Sequence, residues 1–287
     1  MFSPTSITLT TNSRPIHLHL FSTGMVADKS KLRNPRWKNP FAAIDAIFDP
    51  HFTEWLPIWV MVIDHPEGLF LIDTGERAAI NNKNYFKSEG LLTNWYCTTQ
   101  YKFAVHRDDE IDRQLDAKKI PLKSLTSIVL THLHFDHTDG LYHFPNTPIF
   151  VNKQEAQHPS GALPTLYPEW FRPTLIDLKT PHGPFQKTHS LTTQNDILLI
   201  HTPGHTYGHC SVLIRTDSID ILFAGDVCYS ETDLRTENFP ANLASRRQAK
   251  KTYAAIKQYA RERPLILLPT HDPAAAQRLQ LLQTLSL

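Results

Sequence analysis

Four side chains able to hold a metal ion fall within six positions, His132-Leu133-His134-Phe135-Asp136-His137, directly behind the short apolar run 127–130. Imidazole nitrogen and carboxylate oxygen together suit zinc and related divalent ions. On a turn leaving a strand, His132 and His134 can face one ion, and Asp136 and His137 a second ion beside it. A lone histidine usually reads as a satisfied core residue, but this spacing behind a strand reverses that reading. Three further apolar runs end in the same way. Residues 197–200 lead into His201-Thr202-Pro203-Gly204-His205, residues 221–224 into Gly225-Asp226, and residues 265–268 into Pro269-Thr270-His271-Asp272. In α/β architectures strand ends gather along one edge, where sites are built, so ligands far apart in sequence can converge there.

The rest of the pattern agrees with such a fold. Runs of strand length lie at 16–21, 58–64, 69–72, 127–130, 149–151, 197–200, 210–214, 221–224 and 265–268. Helical patterns lie at 108–117, 153–157, 243–261 and 274–285, and Leu243, Tyr253, Ile256 and Tyr259 give the third an apolar stripe. Strands with interspersed helices and a final strand–helix unit predict an α/β sandwich, two packed sheets with helices outside. The expectation is one domain over 1–287, with 41% apolar residues available for its core. Segments 22–55 and 158–190 interrupt the pattern. The first carries Trp37, Phe41, Ile44, Ile47, Phe48, Phe52 and Trp55, and the second Tyr167, Trp170, Phe171 and Phe185. Long irregular segments rich in such residues are expected to form a binding pocket or an oligomer contact.

Composition narrows the partners. A net charge of +1 leaves no electrostatic footprint for nucleic acid. No stretch reaches the roughly 20 apolar residues that span a bilayer. There is no basic start followed by an apolar run, and Cys97, Cys210 and Cys228 form no CxxC. A cytoplasmic protein without a leader or a disulfide framework is the expectation.

Taken together and in this order, HLHFDH, HTPGHTYGH, GDV and PTH resemble the metallo-β-lactamase superfamily, and Leu71-Ile72-Asp73-Thr74-Gly75 is similar to its early strand–turn motif. The resemblance runs from about Ile58 to His271. It implies a four-layer αββα sandwich and a dinuclear site. His132, His134 and His205 would hold one metal, Asp136, His137 and His271 the second, and Asp226 would bridge the two. Asp73 would orient a ligand histidine. His201 and His209 are left over, as structural residues or as supports for the ligands. Two zinc ions are expected, with cobalt, manganese or iron as substitutes. Asp226 and the missing leader separate the chain from the secreted β-lactamases, and His134 in place of glutamate separates it from flavodiiron proteins.

The segment Gly225-Asp226-Val227-Cys228-Tyr229 resembles the N-acyl homoserine lactonases, which carry a tyrosine three residues after the bridging aspartate, and HTPGHTYGHCSV is similar to their form of that motif. The resemblance implies a small-molecule lactone as partner and quorum quenching by ring opening. A hydroxide bridging two zinc ions would attack the carbonyl, Tyr229 would stabilise the oxyanion, and Asp136 would carry the proton to the leaving oxygen. A homodimer is compatible with the apolar 22–55 segment. Another esterase, phosphodiesterase or organophosphate hydrolase on this scaffold would share every metal residue. A non-catalytic metal-binding protein is the reading from another class, disfavoured because each ligand position is filled.

Overall fold

Continuous apolar runs arise here because the central strands are covered on both faces. Along 58–63, Trp59, Met61 and Ile63 enter one apolar cluster while Val60 and Val62 enter another. The same alternation divides Ile197 and Leu199 from Leu198 and Ile200, and Ile266 and Leu268 from Leu265 and Leu267. A computed structural model describes residues 2–35 and 42–287. Trp37 and Phe41 therefore lie outside the described residues.

The first sheet contains β1 (Thr5–Thr11), β2 (Arg14–Asp28), β3 (Leu56–His65), β4 (Gly68–Ile72), β5 (Tyr101–Ala104), β6 (Leu125–Leu130), β7 (Ile149–Asn152) and β8 (Thr174–Ile176). Its order is β1-β2-β3-β4-β6-β7-β8, with β5 paired to β2. The second contains β9 (Thr180–His182), β10 (Phe185–Ser190), β11 (Ile197–His201), β12 (Cys210–Ile214), β13 (Asp220–Gly225) and β14 (Leu265–Pro269), in the order β14-β13-β12-β11-β10-β9. Helices are α1 (Ser30–Arg33), α2 (Ala42–Ile47), α3 (Leu91–Gln100), α4 (Ile111–Ala117), α5 (Phe135–Thr138), α6 (Lys153–Gln157), α7 (Glu231–Thr236), α8 (Arg246–Glu262) and α9 (Ala275–Leu281).

The two sheets face each other across a core that joins Leu18, Trp59, Met61 and Ile72 to Leu199, Val212, Phe223 and Leu268. On the outer face of the second sheet α8 lays down Ala249, Tyr253, Ile256 and Tyr259, and its N-terminus is capped by Ser245, whose side chain accepts from Gln248 N. On the outer face of the first sheet α4 contributes Ile111 and Leu115. The result is the αββα sandwich expected from the sequence. Among the described residues no helix is long and apolar enough to cross a membrane.

The two segments expected to be irregular are so only in part. β2 continues to Asp28, slipping register between Ser22 and Met25 and pairing its far end with β5. Strands β8 to β10 lie in the second half of 158–190. At the edge where the site lies, main-chain bonds join the sheets: Cys210 N donates to Thr131 O at 2.8 Å, and Trp59 N to Thr270 O at 3.0 Å.

Candidate metal centre

Asp73 follows β4 in the left-handed conformation, φ 60°, and is fully buried. Its amide donates to Val129 O at 3.0 Å, which holds the turn against β6. Its carboxylate accepts from Thr131 N at 2.7 Å, Thr131 Oγ1 at 2.8 Å and His137 Nδ1 at 2.8 Å. Because the Thr131 hydroxyl gives its proton to Asp73, its oxygen accepts from His132 Nδ1 at 3.0 Å. His134 Nε2 donates to Ser160 O at 3.0 Å, and His271 Nδ1 to Pro57 O at 2.9 Å. Thus His132, His134, His137 and His271 each use one ring nitrogen on a protein acceptor and present the other inward, the arrangement that prepares an imidazole for a metal.

Inside, the nitrogens crowd. His134 Nδ1 lies 3.0 Å from His132 Nε2 and 2.9 Å from His205 Nε2. With the tautomers above, the His132–His134 contact sets two lone pairs against each other with no proton between them, which a cation relieves. His137 Nε2, Asp226 Oδ1 and His205 Nδ1 are buried without a hydrogen-bond partner among the described residues. The second group is close by. His271 Nε2 lies 3.1 Å from Asp136 Oδ2, and His137 Nε2 3.7 Å from the same oxygen. Asp226 reaches both groups, with Oδ2 3.5 Å from His205 Nε2 and from His271 Nε2, and Oδ1 3.3 Å from His137 Nε2. The donor set thus fits divalent ions.

Electrostatics points the same way. Burial lowers the pKa of His132, His134 and His205, leaving these rings neutral. Burial opposes charge on His271 too, but Asp226 and Asp136 outweigh it and bring its pKa to about 9. Asp136, Asp73 and Asp226 hold His137 well above the usual imidazole range in the same way. Conversely, His137 and His271 overcome the effect of burial on Asp136 and bring it to about 2. A field that holds protons on two rings favours metal cations as well.

His201 and His209, both left over in the sequence, part company. His201 Nε2 donates to Tyr207 O at 3.1 Å, and the ring turns to a separate polar hollow beside Lys187. His209 is buried below the centre. Its Nε2 accepts from Asp226 N at 3.0 Å, and its Nδ1 bonds Thr202 Oγ1 at 2.9 Å. Gly225 precedes Asp226 with φ 57°, and a Cβ there would sit 2.7 Å from His209 Nε2. Gly225→Ala is expected to cost about 1–2 kcal/mol from the left-handed backbone alone, read as a lower urea midpoint. An unchanged midpoint would mean that this turn relaxes freely.

Sequence reasoning missed Glu155. This buried carboxylate on α6 ties two ligand loops together, accepting from Leu133 N at 3.1 Å, Thr206 Oγ1 at 2.6 Å and Gly208 N at 3.1 Å. Two other groups have metal-like composition, His65/Glu67/Asp196 and Glu110/Asp112/His143. Both are consumed by internal bonds. His65 donates to Asp196 and accepts from Glu67 N, while Arg107 supplies the second group with a counter-ion.

The centre forms the floor of a cleft of about 380 Å³. Its lining combines the apolar Val26, Tyr96, Tyr101, Phe103, Phe135 and Leu163 with the polar Asp28, Arg33, Tyr229 and Asn242. Tyr96, Tyr101 and Phe103 come from α3 and β5, which the sequence reading did not single out. Phe48 is 79% exposed and Trp170 belongs to the outer core of the first sheet, so neither lines the cleft. Tyr229 stands next to His271, ring centres 5.9 Å apart, and burial and Asp226 raise its pKa, so its hydroxyl stays a donor.

Comparison with known proteins adds the following. The profile of the metallo-beta-lactamase superfamily matches residues 53–271. Over 187 residues the chain is 33% identical to an N-acyl homoserine lactonase of Bacillus sp., covering 63% of this chain and 68% of that one. It is 26% identical over 231 residues to the N-acyl homoserine lactonase AttM of Rhizobium radiobacter, covering 77% and 83%. Among solved structures, an N-acyl homoserine lactone hydrolase with N-hexanoyl-L-homoserine bound at its catalytic metal centre matches with a TM-score of 0.71, at 22% identity, over 93% of this chain and 94% of that one. AidC, a dizinc quorum-quenching lactonase, matches with a TM-score of 0.63, at 18% identity, over 95% and 91%.

Proposed function

The chain belongs to the metallo-beta-lactamase superfamily, and from that premise we propose that it is a hydrolase holding two divalent ions, zinc first among them, that opens the ring of N-acyl homoserine lactones and so quenches quorum signals. The observation that carries the reading is the double cluster of inward-facing imidazoles and carboxylates under a cleft partly lined by apolar side chains. The relatives named as lactonases support the choice of substrate. In this reading His132, His134 and His205 hold one ion, Asp136, His137 and His271 the other, and Asp226 serves both.

Bound there, the ions supply Lewis acidity, lowering the pKa of water from about 15.7 towards 7 and polarising an ester carbonyl. The chain's own groups do the rest. The apolar lining of the cleft takes the acyl tail and keeps bulk water from the ester. The Tyr229 hydroxyl, kept protonated by burial and by Asp226, donates to the carbonyl oxygen as negative charge develops on it. Asp136 has Oδ2 turned to His271 and His137, which leaves Oδ1 to take the proton from the attacking water and return it to the departing ring oxygen.

The test is a turnover panel of short- and long-chain N-acyl homoserine lactones, simple aryl esters and bis-p-nitrophenyl phosphate, with metal analysis of the same sample. Preferred opening of the lactones with about two equivalents of metal is expected. A dominant phosphodiesterase or esterase activity would replace the reading. Tyr229→Phe should keep its metal and lose about 10- to 1,000-fold in kcat, the scale of one oxyanion donor. Wild-type turnover by that variant would remove Tyr229 from the mechanism.

A further inference from the structure

Arg33, at the end of α1, is 9% exposed and lines the cleft. Its Nε donates to both oxygens of Asp28 at 2.8 Å, and its guanidinium carbon lies 3.6 Å from the centre of the Tyr229 ring. Anchored through Nε and stacked on an aromatic face, the planar group has little freedom to turn. Yet Nη1 is buried and has no hydrogen-bond partner among the described residues. A donor held rigid and dry without an acceptor is costly unless a ligand completes it.

We infer that Arg33 binds a carbonyl oxygen beside the scissile ester, the amide of an acylated lactone, and so sets a preference for amide-bearing lactones over alkyl lactones. The inference rests on the lactonase reading above. One observation chooses a neutral carbonyl over an anion: Asp28 already neutralises the guanidinium. The location fits as well. Arg33 lies against Tyr229, the group assigned to the ester carbonyl, and in an N-acyl homoserine lactone the amide carbonyl carbon stands three bonds from the ester carbon. The apolar lining residues Tyr96, Phe103, Phe135 and Leu163 are then free for the tail. Sequence gave no hint of this residue, because a single arginine acquires meaning only from what surrounds it.

The experiment compares metal-loaded wild type with Arg33→Met, Arg33→Lys and the double variant Asp28→Asn/Arg33→Met. The double variant avoids stranding the buried Asp28 carboxylate if Arg33→Met folds poorly. Each is assayed for kcat/KM on N-hexanoyl homoserine lactone and on α-hexyl-γ-butyrolactone, which keeps ring and tail but has no amide. Metal content and thermal midpoint are recorded alongside. The ratio of the two kcat/KM values should fall about 10- to 100-fold in the methionine variants, the size of one charged hydrogen bond, and recover in part with lysine. A ratio that stays at the wild-type value in a folded, metal-loaded methionine variant overturns the inference while leaving the lactonase reading standing. Wild-type protein that opens neither lactone overturns both.

Discussion

Asp226→Ala is expected to release most of the bound metal and to lower lactone opening by more than about 1,000-fold, because the Lewis acid and its anionic partner are lost together. The Asp226 carboxylate reaches both ligand groups. Its Oδ2 lies 3.5 Å from both His205 and His271, and Oδ1 is 3.3 Å from His137. Removal leaves five imidazoles and one carboxylate, a set with less charge to offset two divalent cations. Asp226→Asn separates charge from shape, since the amide fills the same space and retains the backbone bond to His209. If charge is decisive, the two variants should behave alike in metal analysis and turnover. Asp226→Ala protein with two equivalents of metal and wild-type rates would sink the assignment.

Asp73→Asn should lower metal affinity or activity about 10- to 100-fold without touching any ligand atom. The Asp73 carboxylate accepts three hydrogen bonds, from Thr131 N, Thr131 Oγ1 and His137 Nδ1. An asparagine amide offers one oxygen, and its NH2 must face at least one buried donor, a loss of about 1–3 kcal/mol in stability. Asparagine tolerates a positive φ at least as well as aspartate, so the change tests the carboxylate rather than the turn. Competition with a chelator and urea unfolding read the two effects separately. Wild-type chelator resistance in this variant would show that His137 needs no such support.

The centre was legible because its residues end strands whose apolar runs stand out. His132, Asp226 and His271 each follow a strand, β6, β13 or β14, that ends in a buried apolar run. The edge strand β1 has no such block. Its Thr-Ser-Ile-Thr-Leu-Thr-Thr run alternates half-buried with exposed positions and passes for polar chain. Aromatic richness misled the reading of the walls, since it does not distinguish Trp170, packed on the outer core, from Tyr96, which lines the cleft. Arg33 and Glu155 were invisible for a stronger reason. Each does its work through partners distant in sequence, Tyr229 for Arg33 and Gly208 for Glu155, which only the closed fold brings near.

The chemistry-bearing floor of the cleft and its walls come largely from different stretches of chain. The floor is supplied by strand ends and the turns that follow them, most of the lining above it by 26–33, 93–103 and 160–163, with Phe135, Tyr229 and Asn242 beside them. Descendants of a duplicated gene can therefore vary those stretches, and with them the molecules they accept, provided the carbonyl of residue 160 that holds His134 stays in place.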